Sequence, residues 1–362
     1  MKVIHLLPAL EQGGVETVVC DLVKASGGWE SVVVSKGGRL VERVRASHGR
    51  HVALDLKSKN PLTYFSRVWK LRRILRDEKP DLVCAHSRVP AWLYVGVRAL
   101  DSSVCKTPWI TYAHGANSVS RYSEVMTKGD LVVVPSRFLA DYLKTNYRMP
   151  ESKIRVIPNA IDAERFDPSN LDQAFIAEKR REWGIREGDH VVMAIGRITP
   201  VKGLDSLIKE VMSRTCGREI ASPLKLVIVG GADRHHQKYL EGLKALAVGL
   251  SRQQSNNRTI EQSVNSSVVF AGSQEKIPEC ISIADEIVSA NTTKPETFGL
   301  SIVEAYAMNR PVRVARRFGG AAEVMEAVEK AACSTLREAV LKLYGLDVFA
   351  ERTKAAYREL VG

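Results

Sequence analysis

Short apolar runs that alternate with segments of helical period constrain this chain more than any other feature, because that alternation builds βαβ units and parallel sheets. In the first half the runs are Lys2–Leu7, Glu30–Val34, His51–Leu54, Leu82–Ala85, Trp109–Ala113 and Leu131–Val134. A second series opens at His190–Gly196 and continues through Leu224–Val229, Val268–Ala271, Glu286–Ser289 and Pro311–Ala315. Between the two series the alternation breaks at Met149-Pro150 and Ile157-Pro158, and a charged helical stretch, Ile176–Trp183, follows. A chain of 362 residues also exceeds the roughly 250–300 at which single hydrophobic cores stop growing. The expected fold is therefore α/β, with two similar domains at 1–165 and 166–345 and an amphipathic helix within the remaining 346–362. Ser251–Ser267, polar and without apolar periodicity, reads as a flexible surface loop.

Composition narrows the function classes. No uninterrupted apolar run approaches the ~18 residues of a membrane span. The opening Met1–Pro8 carries His5 and Pro8 and lacks a small-residue cleavage site, so it reads as a first strand and not as a secretion signal. Six cysteines are scattered without a C-x-x-C pair, which points to reduced thiols and a cytoplasmic setting. The net charge of +12 lies mainly in the first half, where 26 Lys and Arg face 16 Asp and Glu up to Arg165. Such a field concentrates an anionic partner: nucleic acid, phospholipid headgroups or a phosphorylated acceptor. No helix-turn-helix, zinc-finger or aromatic RNA-binding signature accompanies the charge, so nucleic acid is not expected. Pro61–Glu78 interleaves Tyr64, Phe65, Trp69 and Leu75 with Arg67, Lys70, Arg72, Arg73 and Arg76. It reads as a core helix with Phe65, Val68 and Leu75 inward, or as a helix resting on an anionic membrane.

The chemistry is concentrated at loops that follow strands. Lys294-Pro295-Glu296-Thr297-Phe298-Gly299-Leu300-Ser301-Ile302-Val303-Glu304 places one carboxylate in a loop and a second in the following helix, with backbone amides freed around Gly299. Such a constellation can grip a polyhydroxylated ligand that carries phosphate, as a sugar nucleotide does. Ser301 and Glu304 also satisfy the S-x-x-E capping box, which would give Glu304 a structural role instead. After the first strand of the second series, Arg197 and Lys202 flank Pro200 and precede Gly203. Two fixed cations there stabilise the charge that develops on a leaving diphosphate; the alternative is a pair of solvated loop residues. The chain contains no Asp-x-Asp, so no metal or other cofactor is expected. Gly13 and Gly14 open a helix after the first strand, as a tight turn or as an anion site. His114 and His86 end neighbouring strands, where a histidine can donate to a sugar hydroxyl or simply pack.

Taken together, Gly13-Gly14, His114, Gly196-Arg197 with Lys202-Gly203, Glu296 through Glu304, and Gly319-Gly320 with Glu323 resemble the retaining nucleotide-sugar glycosyltransferases of family four, over nearly the whole chain. The resemblance implies the GT-B arrangement, two Rossmann-like domains facing across a cleft, with Asp347–Leu360 as a helix that returns to the first domain. It implies Arg197 and Lys202 on the donor diphosphate, Glu296 on sugar hydroxyls and Glu304 on the ribose. Gly13, Gly14 and His114 complete the donor site, and Phe298, Gly299 and Leu300 supply backbone amides. The basic first domain would take an anionic glycan or glycolipid. His86–Pro90 and Lys294–Glu296 look most like bacterial enzymes of lipopolysaccharide-core or related surface-glycan synthesis, peripheral at the inner membrane. Two features depart from the family pattern. Asn309 stands before Arg310-Pro311 where glycine is usual, and Ala321–Tyr344 lacks the Gly- and Pro-containing loop expected beside the donor. A nucleotide-sugar epimerase of the same fold, or a protein that binds nucleotide sugars without turnover, are the alternatives.

Overall fold

A computed structural model describes residues 1–11, 13–214, 223–254 and 267–362. The chain forms two compact units, one of Met1–Asp162 together with Lys342–Gly362, the other of Ala163–Leu341.

The first unit is built on seven strands, β1 (Lys2–Leu6), β2 (Glu30–Ser35), β3 (Arg50–Ala53), β4 (Leu82–Ala85), β5 (Trp109–Tyr112), β6 (Leu131–Val134) and β7 (Ile154–Val156). All pair in parallel in the order β3-β2-β1-β4-β5-β6-β7. Strands covered on both faces read as continuous apolar runs, and every residue of β4, β5 and β6 is buried. The seventh strand is a correction: the sequence reading ended the series at β6. Three residues with Arg155 at the centre, flanked by prolines, carry too little periodicity to announce a strand, yet they pair along the edge of the sheet.

Helix Leu346–Val361 belongs to this unit. Phe349, Ala356 and Tyr357 are buried in the core that holds Val3, Cys84 and Tyr112, and burial of a side chain such as Phe349 stabilises by about 1.5–3 kcal/mol. The Tyr357 hydroxyl lies 2.9 Å from that of Tyr112, and Arg155 forms an ion pair with Glu359. Helix Tyr64–Glu78 corrects a second expectation: Val68, Leu71 and Leu75 face the core, while Phe65 is 69% exposed and lies off that face.

The second unit carries β8 (His190–Ile195), β9 (Leu224–Val229), β10 (Val268–Gly272), β11 (Glu286–Ser289) and β12 (Val312–Val314), all parallel, in the order β10-β9-β8-β11-β12. Helix Gln237–Gln254 runs into the expected loop, so 251–254 are helical and not loop, as is Ser267 directly before β10; residues 255–266 lie outside the described residues. The fold is α/β, two Rossmann-like domains with parallel sheets of seven and five strands. Among the described residues no helix is long and apolar enough to cross a membrane.

Candidate functional site

In a parallel sheet every strand ends at the same edge, so the loops after β8, β11 and β12 converge there. After β8, Pro200–Lys202 makes a single 3₁₀ turn that ends at Gly203, with φ of 62°. A side chain at Gly203 would run into the Ala290 carbonyl at the exit of β11. Only glycine allows both the left-handed backbone and this approach, and the result sets Lys202 beside the loop after β11. There the Lys202 ammonium and the Glu296 carboxylate form an ion pair, their side chains 29% and 19% exposed.

Glu296 is held from behind by the start of helix Gly319–Lys330. The Gly320 N–H donates to the Glu296 carbonyl at 2.8 Å, and Glu296 and Gly319 form an isolated parallel bridge. A Cβ on Gly319 would lie 2.5 Å from that of Pro295 and 2.7 Å from the Glu296 carbonyl. The Gly-Gly pair is therefore what lets the helix meet the Glu296 loop backbone to backbone.

Downstream, Phe298 is buried at 4% exposure and Gly299, with φ of 90°, is the N-cap of helix Leu300–Ala307. The capping box is thereby corrected: Ser301 sits one residue inside the helix, and the cap position carries no side-chain hydrogen bond. The amides of Leu300 and Ser301 have no carbonyl one turn earlier to serve, and together with the helix dipole they face the loop end. Gly196, Arg197, Lys202, Ala290, Glu296 and Ser301 line one hollow, and Glu304 shares the helical face of Ser301, three residues on. Arg197 is exposed at its rim. At the far end of that helix Asn309 adopts φ of 52°, the left-handed conformation that Asn accepts in place of glycine.

The remaining sequence candidates lie in the first unit. Gly13 caps helix Gly14–Lys24 in extended conformation. A Cβ there would meet the Glu16 carboxylate, so an anion on these amides faces a like charge. His114 follows β5, and its Nε2 is 3.2 Å from Nδ1 of His86; the His86 Nε2 is in turn 3.1 Å from Nδ1 of His5. His5 was legible only as a strand residue. The β1–β4 register places it opposite Cys84, two residues before His86, an alignment that no local pattern announces. Burial pushes His5 down to about 3 and His114 to about 4, and holds His86 well below the usual histidine range. Among the described residues no group of three or more His, Cys, Asp or Glu side chains is arranged to hold a metal ion.

Residues 12–165 match the model described as Glycosyltransferase Family 4, and residues 175–335 match that of Glycosyl transferases group 1. The chain carries two glycosyltransferase domains in tandem. An uncharacterized glycosyltransferase of Methanocaldococcus jannaschii is 26% identical over 269 residues, 70% of this chain and 62% of that protein. The D-inositol 3-phosphate glycosyltransferase of Corynebacterium jeikeium is 28% identical over 261 residues, 66% of this chain and 57% of its own length. The matches thus span less than two thirds of these relatives. Among solved structures, a glycosyltransferase from Rickettsia africae superposes with a TM-score of 0.78 at 23% identity, covering 99% of this chain and 98% of that one. Anabaena HepE in complex with UDP and glucose gives 0.76 at 20% identity, covering 99% and 100%. The tandem glycosyltransferase domains thus share the GT-B fold of these structures.

Proposed function

We propose that the chain is a retaining, metal-independent glycosyltransferase that moves a sugar from a nucleotide diphosphate sugar to an anionic glycan or glycolipid. The observation that carries this reading is the Lys202–Glu296 pair beside the uncapped amides of Leu300 and Ser301. It sets a cation for the diphosphate, a carboxylate for sugar hydroxyls and a helix start for phosphate around one hollow. HepE in complex with UDP and glucose supports a donor of this class. Arg197 and Lys202 take up the charge on the leaving diphosphate, the role a metal plays elsewhere. Glu304 binds the ribose, and the departing phosphate accepts the acceptor's proton on the face it leaves, which retains stereochemistry.

The donor is named by thermal shift with UDP, GDP, ADP and their sugars. At a hundredfold its dissociation constant the true donor adds about 2.7 kcal/mol of stability, and Glu304→Ala loses that selective gain. No stabilisation by any nucleotide overturns the reading.

The acceptor side rests on the first unit's charge and on one exposed patch. Leu62, Phe65 and Trp69 are 90%, 69% and 56% exposed, with Lys70 and Arg73 exposed among them. Tyr64 donates to the Trp92 carbonyl at 2.9 Å, and the Trp92 indole donates to the Tyr122 carbonyl at 3.0 Å. Those bonds tie in the loop that carries exposed Val119 and Tyr122. Apolar side chains ringed by basic ones suit the anionic cytoplasmic face of the inner membrane, where lipopolysaccharide-core or other surface-glycan acceptors are built. The protein should pellet with anionic vesicles and not with neutral ones, and Phe65→Ser should weaken this about tenfold, the value of one buried apolar side chain. Equal binding to both vesicle types removes the membrane from the proposal.

A further inference from the structure

The basic half of helix Tyr64–Glu78 is organised around one carboxylate. Asp101 stands between helix Arg88–Leu100 and the single helical turn Ser102–Cys105, and its side chain is 5% exposed. Its Oδ1 accepts from the Ser103 N–H at 3.0 Å and from the Ser103 hydroxyl at 2.6 Å. Its Oδ2 accepts from Arg72 Nε at 2.8 Å, and Arg76 Nε lies 3.4 Å from the same oxygen. The carboxylate is thus oriented by its own turn, and it holds two guanidiniums side by side. The Arg72 guanidinium also lies over the Trp69 ring, 5.0 Å from its centroid.

Anchoring through Nε leaves the two terminal nitrogens of each guanidinium, the fork that matches a pair of phosphate oxygens. Among the described residues, no hydrogen bond occupies those nitrogens in Arg72 or Arg76. An arginine already held at Nε also gives up less freedom on binding than a solvated one. Lys70, Arg72, Arg73 and Arg76 line one hollow with Trp69 and a single carboxylate, Asp77, so the hollow is strongly cationic. Phe65, Trp69, Arg72 and Arg76 follow one another at spacings of four, three and four, and therefore share a helical face. That face is apolar in its first half and cationic in its second, with Trp69 common to both. An indole at a membrane interface rests at headgroup depth, which sets the two forks at the level of the lipid phosphates. We propose that Arg72 and Arg76, mounted on Asp101, form a receptor for the phosphate of an anionic phospholipid, so that this face grips a headgroup by geometry as well as by charge. The choice of a lipid rests on the membrane contact proposed above.

The test is sedimentation of the full chain with phosphatidylglycerol-containing vesicles and with neutral phosphatidylcholine vesicles. Arg72→Lys keeps the charge but removes the fork, and should weaken binding to the anionic vesicles about tenfold, the worth of a charge-assisted hydrogen-bonded contact. Arg73→Lys, the same exchange at a residue off the anchor, should stay within about twofold of the parent. Asp101→Asn makes the face more positive by one charge, so attraction by charge alone predicts tighter binding; loss of the anchor predicts weaker binding, which is the expected result. Parental binding by Arg72→Lys together with tighter binding by Asp101→Asn overturns the receptor and leaves the membrane contact standing. Arg72→Lys decides by itself if Asp101→Asn does not fold. A parent without preference for anionic vesicles overturns both. Inorganic phosphate is the second probe: if it raises the melting temperature of the parent and not of Arg72→Lys, while vesicle binding is the same in the two proteins, the occupant is a free phosphate and the lipid assignment falls.

Discussion

Lys202→Met will turn over its nucleotide sugar about 10²–10³-fold more slowly than the parent protein, the loss typical of removing one preorganised donor from a developing charge. Its folding stability will change by no more than about 1 kcal/mol. The two halves of this expectation separate because of where the ammonium sits. Lys202 and Glu296 are an ion pair about a quarter exposed, at 29% and 19%, and such pairs contribute little to stability. Turnover is a different matter, since the same ammonium faces the hollow where diphosphate charge would grow. In the resting protein that charge is neutralised by Glu296, so donor binding must share or redirect the pair. Glu296→Gln isolates this point: it leaves the ammonium without its carboxylate, and should tighten binding of the bare nucleoside diphosphate while it lowers turnover. Steady-state kinetics with the donor found by thermal shift, read as kcat and KM separately, checks both variants. Turnover within threefold of the parent in Lys202→Met would remove Lys202 from the chemistry.

The second large effect is on pH. His5 and His114 are pushed down to about 3 and about 4, and His86 also lies well below its ordinary value, in each case chiefly by burial. In the unfolded chain all three titrate near 6.5. Below that value the unfolded state binds protons that the folded state refuses, so stability is full above about pH 6.5 and is lost as pH falls toward the folded values. Each such histidine contributes a slope of about 1.4 kcal/mol per pH unit. Three together would consume a stability on the order of 10 kcal/mol within two to three units. Urea unfolding at pH 7.5, 6 and 5 should therefore show a steep decline, and His5→Phe should flatten it by about a third, whatever that substitution does at pH 7.5. The same slope in parent and variant would sink the assignment.

The residues themselves explain which of these features the sequence disclosed. β4 and β6 were legible to the residue, as Leu82–Ala85 and Leu131–Val134, because strands buried on both faces have little choice but to be apolar throughout. β7 was not, because a three-residue edge strand centred on Arg155 has no period to detect. Lys202, Gly203, Glu296 and the Gly319-Gly320 pair were each visible as loop residues after strands. Their meeting was not visible, since the ammonium and the carboxylate are 94 positions apart and only the β8–β11–β12 order brings those loops together. Ser301 and Glu304 matched a capping box letter for letter, and Gly299 took the cap instead. Phe65 was taken as a core residue on spacing alone, but on the helix Tyr64–Glu78 the buried apolar positions are Val68, Leu71 and Leu75. The histidine chain depended on strand register, which the sequence does not carry locally.

Helix Leu346–Val361 completes the core of a unit whose other residues end at Asp162. On the ribosome, then, the first domain waits unfinished while the whole of Ala163–Leu341 is synthesised. The second domain, contiguous in the chain, has its full complement of residues first, reversing the usual order in which N-terminal domains fold ahead. Until Phe349 and Tyr357 arrive, the apolar side of the first sheet that they cover stays open to water, and that interval is when the nascent chain most needs a chaperone.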